Sequence, residues 1–157
     1  FNIDSLTVSA TNDPAVSRIT VTLRGTEQAL NQLILQTERL EVTRQIFELD
    51  PDKSLQRELL LLKVACDAGN RAALREISSI YKAKIIDLSP DSMIFELTGK
   101  PDKIDAFLAM LQDYDILELC RTGVTALERG GKHQHMQKPA QEVRDAQLPL
   151  PGTHCPQ

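Results

Sequence analysis

One pattern of strand, glycine and helix occurs twice in this sequence, and the two copies lie 74 residues apart. In the first copy, residues 18–24 alternate polar and apolar side chains and Gly25 ends the run. In the second copy, residues 93–98 alternate in the same way and Gly99 ends the run. A period of two indicates a strand with one buried face. Because the register holds through strand, glycine and helix, we interpret the two copies as an internal repeat.

The helix that follows each strand carries one apolar stripe. In the first copy Thr26 is suited to cap the helix, because its hydroxyl can accept a hydrogen bond from a free amide of the first turn. In the second copy Pro101 lies near the helix start, where its missing N–H costs nothing. The predicted buried residues are Leu30, Leu33, Ile34 and Leu40 in the first helix and Ile104, Phe107, Leu108 and Leu111 in the second.

The second copy is complete and the first is not. Upstream of Ile85-Ile86-Asp87, which Asn2-Ile3-Asp4 resembles, the second copy has a further apolar strand over residues 57–66 and a further helix over residues 70–82. The stripe of that helix is Ala73, Leu74, Ile77, Ile80 and Tyr81. No matching strand and helix precede Asn2, so we expect the beginning of the first module to be missing.

These patterns predict an α+β fold. The second copy follows the order β-α-β-β-α-β, which folds as an antiparallel four-stranded sheet covered on one face by two helices, the ferredoxin-like arrangement. The first keeps only β-β-α-β. We place the first module at residues 1–53 and the second at 54–131, separated by the polar, proline-containing stretch 50–54. Residues 132–157 contain four prolines and few bulky apolar residues, which predicts a disordered tail.

Composition excludes several classes of protein. The net charge is −4 with no long run of either sign, which argues against a general electrostatic grip on nucleic acid. No apolar stretch approaches the roughly 20 residues that a membrane-spanning helix needs. The three cysteines are odd in number and far apart, which argues against a disulfide framework and favours a reducing cytoplasm. We predict that Cys66 and Cys120 are buried apolar residues of strands.

Five strings in order resemble one protein family, the small regulatory subunits of acetohydroxyacid (acetolactate) synthase, over about residues 1–130. They are FNIDSLTV, VSRITV, RELLLLKV, AKIIDLSPDS and RTGVTALERG. The resemblance implies that both modules are of the ACT type, the first truncated at its start, and that the chain performs no chemistry. It further implies a homodimer through ACT domains that binds the catalytic subunit, activates it and confers feedback inhibition by a branched-chain amino acid, usually valine.

The resemblance also implies an effector site. In this family the effector lies where two ACT domains pair, between a glycine-containing loop and the strand that begins with Asn-Ile. Only that strand is present here, so Asn2 and Ile3 are the candidate valine-binding residues, with the Asn2 amide offering both a donor and an acceptor. The chain itself is expected to need no cofactor, whereas the catalytic partner uses thiamine diphosphate, Mg and FAD. A bacterial, cytoplasmic protein fits best, with a plastid as the alternative for a plant or alga.

Other candidate sites have ordinary interpretations. His133 and His135 form a His-x-His pair, but they lie in the tail, where a solvated segment is the simpler reading than a metal site. Asp87, Asp91 and Asp102 occupy positions where turns and helix starts favour aspartate. We therefore predict no catalytic and no metal-binding residues. Arg121-Thr122-Gly123 is interpreted as a turn with Gly123 at positive φ and Arg121 in solvent, although contact with a partner is an alternative.

Three functions from other classes remain as alternatives. A generic ACT-type amino-acid-binding module would regulate another metabolic enzyme. An RNA-recognition motif shares the β-α-β-β-α-β order, but it displays aromatic residues on a basic sheet, whereas aromatic content here is 4%. An acylphosphatase-type enzyme would need a phosphate cradle of backbone amides with an arginine, and no such glycine-rich loop is found.

Overall fold

The computed structural model describes residues 2–131 and 147–148, which belong to two compact units. The first unit comprises the chain up to Leu55 together with the chain from Val124 onward, and the second comprises Gln56–Gly123. The division after Leu55 lies close to our predicted module boundary. Residues 124–131, which we assigned to the second module, lie in the first unit. Of the tail that we predicted to be disordered, all but residues 147–148 lie outside the described residues.

The described residues form strands and helices in mixed order along the chain. In order they are β1 (Asn2–Ala10), β2 (Ser17–Arg24), α1 (Glu27–Glu38), a 3-10 turn (Pro51–Lys53), β3 (Ser54–Ala65), α2 (Arg71–Tyr81), β4 (Lys84–Leu88), β5 (Ser92–Gly99), α3 (Pro101–Met110), β6 (Ile116–Arg121), β7 (Thr125–Glu128) and β8 (Gln147–Leu148). The fold is mixed α+β with antiparallel sheets, as predicted.

The first unit is built on a hairpin of β1 and β2. The two strands pair antiparallel, with Leu6 opposite Val21 and Val8 opposite Ile19, and the register is irregular between Ile3 and Ser5. The third strand of this sheet is β8, which pairs with β2 at Ser17 and Arg18. Helix α1 begins where the sequence predicted, because the Thr26 hydroxyl accepts a hydrogen bond from the Ala29 amide at 3.1 Å.

The last strand predicted for the first copy is not formed. Between α1 and the 3-10 turn, the structure has only isolated bridge residues, Gln45 and Ile46, both buried. In the second unit the corresponding strand, β6, pairs with the opening strand β3. Among the described residues no strand pairs along this segment as β3 pairs with β6, and a strand needs such a partner to form.

The second unit contains the complete predicted order β-α-β-β-α-β. Its strands pair antiparallel in the order β4-β5-β3-β6, so the two central strands are β5 and β3. One face of these central strands carries the core. Residues Leu60, Leu62, Val64, Met93, Phe95 and Leu97 of the strands pack with Leu74, Ile104, Phe107 and Leu111 of the helical segments, all nearly inaccessible to solvent.

The predicted helix stripes are right at their centres and wrong at their edges. Of the four residues predicted for the α3 stripe, Leu108 packs against the core and Ile104, Phe107 and Leu111 are buried, with Leu111 just beyond the helix end. In α2, Leu74 is buried and Ile77 and Tyr81 pack against the core, but Ala73 and Ile80 are exposed. In the first unit Ile34 is buried, whereas Leu40 lies beyond the end of α1 and is exposed. Cys66 is buried as predicted, but Cys120 is exposed because it lies beside Leu61 on the face of the sheet opposite the core.

Candidate functional site

The two candidate effector residues lie at the beginning of β1. Asn2 pairs with Arg24 and Ile3 with Leu23, and both Asn2 and Ile3 are exposed to solvent. In the described sheet β1 has only one neighbour, β2, so its other side is an edge with unpaired backbone groups. The irregular register at Asp4, just after Ile3, is the signature of a β-bulge. The structure thus brings an amide side chain and an edge strand together, and a role in effector binding stays a prediction.

The hairpin has one apolar and one polar face. On the apolar face Ile3 lies opposite Leu23, in line with the Leu6–Val21 and Val8–Ile19 pairs. Ile3, Leu6 and Val8 are each more than half exposed. Their partners on β2, Ile19, Val21 and Leu23, correspond in the repeat to Met93, Phe95 and Leu97 of β5, which form the core of the second unit. The apolar face of the hairpin is therefore the core face of a module whose cover is incomplete in the described residues.

The polar face of the hairpin holds a segment that comes from the far end of the chain. Thr7 Oγ1 donates to the Val124 carbonyl oxygen and the Val124 amide donates to Ser5 Oγ, both at 3.0 Å. On β2, Arg18 Nη2 donates to the Ala126 carbonyl oxygen at 3.1 Å. We call residues 124–126 the returning segment. These contacts are not predictable from the sequence, because alternating Ser and Thr residues in a strand are equally typical of a solvated face.

Arg121 is ion-paired, not solvated as we predicted. Its guanidinium donates to both carboxylate oxygens of Glu58, at 2.7 and 2.9 Å, and to Asp105 at 2.8 Å. These hydrogen bonds, first those to Glu58, raise the pKa of Arg121 above its ordinary value against the opposing effect of desolvation. Gly123 has φ of 83°, so the predicted left-handed turn residue is confirmed.

The three aspartates considered as candidate site residues lie in a turn, a strand and the start of a helix. Asp91 accepts a hydrogen bond from the Ser89 hydroxyl at 3.0 Å, Asp102 lies in the first turn of α3, and Asp87 is in β4. Among residues 2–131 and 147–148, no three His, Cys, Asp or Glu side chains cluster in a way that could hold a metal ion. His133 and His135 lie outside the described residues. In the part of the chain that the structure describes, no helix is both long and apolar enough to cross a membrane.

Comparison with known proteins gives one consistent family. The family model described as the small subunit of acetolactate synthase matches residues 57–130. The probable acetolactate synthase small subunit of Archaeoglobus fulgidus is 39% identical over 132 residues, which cover 84% of this chain and 82% of that protein. The acetolactate synthase isozyme 3 small subunit of Salmonella typhimurium is 38% identical over 133 residues, covering 84% and 82%.

A solved structure agrees with these relatives. The crystal structure of the acetolactate synthase small subunit from Thermotoga maritima superposes with a TM-score of 0.74 at 31% identity. The match covers 83% of this chain and 82% of that chain, so it includes both compact units in large part.

Proposed function

Since the chain belongs to the acetolactate synthase small-subunit family, we propose that it is a non-catalytic regulatory subunit of that enzyme. It binds a separate catalytic subunit, raises its activity and makes it subject to feedback inhibition by valine. The observation that carries this proposal is 38–39% identity to small subunits over 82% of their length. The two modules are of the ACT type in this proposal, and the catalytic partner supplies thiamine diphosphate, Mg and FAD.

Valine binds at the beginning of β1 in this proposal. Asn2 and Ile3 are exposed there, on an edge strand whose outer backbone groups are unpaired among the described residues. The Asn2 amide is able to donate to a carboxylate and to accept from an ammonium group, and an edge-strand amide is a further donor. The same edge and the exposed apolar face of the hairpin support pairing of two copies through their ACT domains. Bacterial and archaeal relatives support a cytoplasmic location.

Reconstitution tests this function directly. We expect the purified full-length protein to increase acetolactate formation by its cognate catalytic subunit and valine to reverse that increase. Asn2→Ala should weaken inhibition by about tenfold, the scale of one lost charge-assisted hydrogen bond. Asn31→Ala, on the exposed surface of α1, is the matched control and should leave inhibition unchanged.

Two outcomes would count against the proposal in different ways. If the protein binds an amino acid but leaves acetolactate synthase unaffected, it is a generic ACT-type module that regulates another enzyme. If Asn2→Ala and Asn31→Ala are inhibited equally, the effector does not bind at the beginning of β1.

A further inference from the structure

Val124 is held by two side chains of a single strand. Its amide donates to Ser5 Oγ and its carbonyl oxygen accepts from Thr7 Oγ1, each at 3.0 Å, and the residue is only 3% exposed. A buried backbone group that loses its partner is costly, so both hydrogen bonds restrain the position of Val124. The position of β1 and the position of Val124 are therefore linked.

The second strand of the hairpin strengthens this link. The Thr22 hydroxyl donates to Ser5 Oγ at 3.0 Å, so Ser5 accepts from both β2 and the returning segment. Arg18 Nη2 donates to Ala126 at 3.1 Å. Hydroxyl groups that both donate and accept form connected networks in which one bond orients the next. Side chains of both β1 and β2 therefore form hydrogen bonds with the backbone of residues 124–126.

The beginning of β1 lies close to this network along the strand. Only Asp4 separates Ile3 from Ser5, and the register irregularity falls between Ile3 and Ser5. A bulge is a local interruption of strand pairing and is a place where a strand can change its course. A ligand bound at Asn2 and Ile3 thus contacts the strand two residues before Ser5.

The returning segment continues from a firmly anchored strand end. Arg121, the last residue of β6, is paired with Glu58 and Asp105, and only Thr122 and Gly123 separate it from Val124. Thr122 is itself fixed, because its amide donates to the Leu59 carbonyl oxygen at 3.0 Å and its hydroxyl accepts from the Leu59 amide at 3.0 Å. Only two residues therefore separate Val124 from a hydrogen-bonded strand end.

We propose that Ser5 and Thr7 are positioning residues that couple valine binding at Asn2 and Ile3 to the returning segment, so that the occupied state is read out at Val124. The inference rests on the proposed function and specifies how its site is linked to the rest of the chain. Neither hydroxyl needs to touch the effector. Coupling of this kind is a difference in free energy between two states of the same hydrogen-bond network.

Hydrogen exchange of the full-length protein tests the coupling without the catalytic partner. The Val124 amide must leave Ser5 Oγ before it exchanges. We expect saturating L-valine to change its exchange rate by about tenfold, within the usual range for coupled sites, while the Leu62 amide in the second unit's core is unchanged. The inference is overturned if L-valine binds, as measured by calorimetry, and Val124 exchanges at its original rate. If L-valine does not bind at all, the proposed function itself has failed.

A variant series separates coupling from binding. In the double variant Ser5→Ala/Thr7→Val, L-valine should bind the isolated subunit within about threefold of the original affinity, while inhibition of the reconstituted enzyme weakens by about tenfold. Thr7→Ser keeps the donor and should retain inhibition. Ser9→Ala, on the exposed end of the same strand, is the matched control. Unchanged inhibition in the double variant overturns the inference, and the exchange experiment on the unmodified protein decides it where the double variant does not fold.

Discussion

The carboxylate of Glu58 is almost fully buried, with 4% of its side chain exposed, and Arg121 is its bidentate partner. Asp105 accepts a further hydrogen bond from the same guanidinium. Three elements, β3, β6 and α3, are thereby joined by one side chain. A buried carboxylate is tolerated only when it is paired and hydrogen-bonded, so the network fixes where β6 ends.

Replacing one member of this pair should cost more than replacing both. We expect Arg121→Met to lower the free energy of unfolding by about 3 kcal/mol, because it leaves the Glu58 charge buried without a partner. The double variant Glu58→Leu/Arg121→Met should recover much of that loss, because no buried charge remains. Urea denaturation of the single and double variants measures both values.

The exposed pair Lys63–Glu118 is the control for this experiment. Its two charges are 3.0 Å apart, but the Glu118 side chain is largely exposed, so Glu118→Gln should change stability by less than about 1 kcal/mol. Equal losses from Arg121→Met and Glu118→Gln would contradict the importance of burial at Glu58.

Arg121 also marks the limit of sequence reasoning at the residue scale. Local pattern placed it correctly at a strand end before Gly123, but its partner Glu58 is 63 positions away. The periodicity within a strand or helix does not predict a partner at such a separation. Thr26 is the opposite case, since its partner Ala29 is three positions away and the cap was predictable from the sequence.

At the scale of elements, helical periodicity predicted which face of each helix is apolar but not how many residues of that face are buried. Phe107 of α3 lies at the centre of the core, where its ring contacts Phe95 edge-on at 5.8 Å and Tyr81 at 5.4 Å between centroids. Ile80 of α2 belongs to an equally regular stripe, yet it is exposed. The width of a stripe that becomes buried depends on the neighbouring strands, which the helix sequence does not contain.

This contrast predicts unequal effects of two similar truncations. Phe107→Ala should lower the free energy of unfolding by about 3–5 kcal/mol, because it leaves a cavity among fully buried side chains. Ile80→Ala should change it by less than about 0.5 kcal/mol, because 71% of the side chain is already exposed. Thermal or urea unfolding of the two variants checks the difference. A large loss in Ile80→Ala would mean that a partner covers this side chain in solution.

For strands too, the local pattern predicts the element only where a neighbouring strand is present. Alternation predicted β2 and β5 closely, and the apolar patterns over residues 57–66 and 70–82 predicted the opening strand and helix of the second unit. The internal repeat failed for the last strand of the first copy, where Gln45 and Ile46 form only isolated bridges. A strand needs a partner as well as a suitable sequence, and among the described residues no strand pairs along this segment.

For the whole molecule, sequence order and spatial order differ at the end of the chain. The sequence patterns divide the chain into successive modules, whereas residues 124–131 belong to the first unit. The contacts responsible, between Ser5, Thr7 and Val124, join residues more than a hundred positions apart. Neither the composition nor the internal repeat indicates that residues 124–126 contact the hairpin. Family resemblance identified Asn2 and Ile3 as candidate site residues. Nothing in the sequence indicated that the hydroxyls of Ser5 and Thr7 form hydrogen bonds with Val124.

The two units should therefore differ in their ability to fold alone. In the second unit, sheet pairing among β3, β4, β5 and β6 and the core from Leu60 to Leu111 lie within residues 54–123. We expect that fragment to unfold cooperatively in urea, as small domains with one closed core do.

A fragment of residues 1–55 keeps the hairpin and α1 but loses Val124 and Ala126, and an isolated hairpin is marginally stable at best. It should show no cooperative transition and poor dispersion of amide signals in NMR spectra. A cooperative transition in fragment 1–55 would contradict the structural importance of the returning segment, and its absence in fragment 54–123 would mean that the second core depends on the first unit.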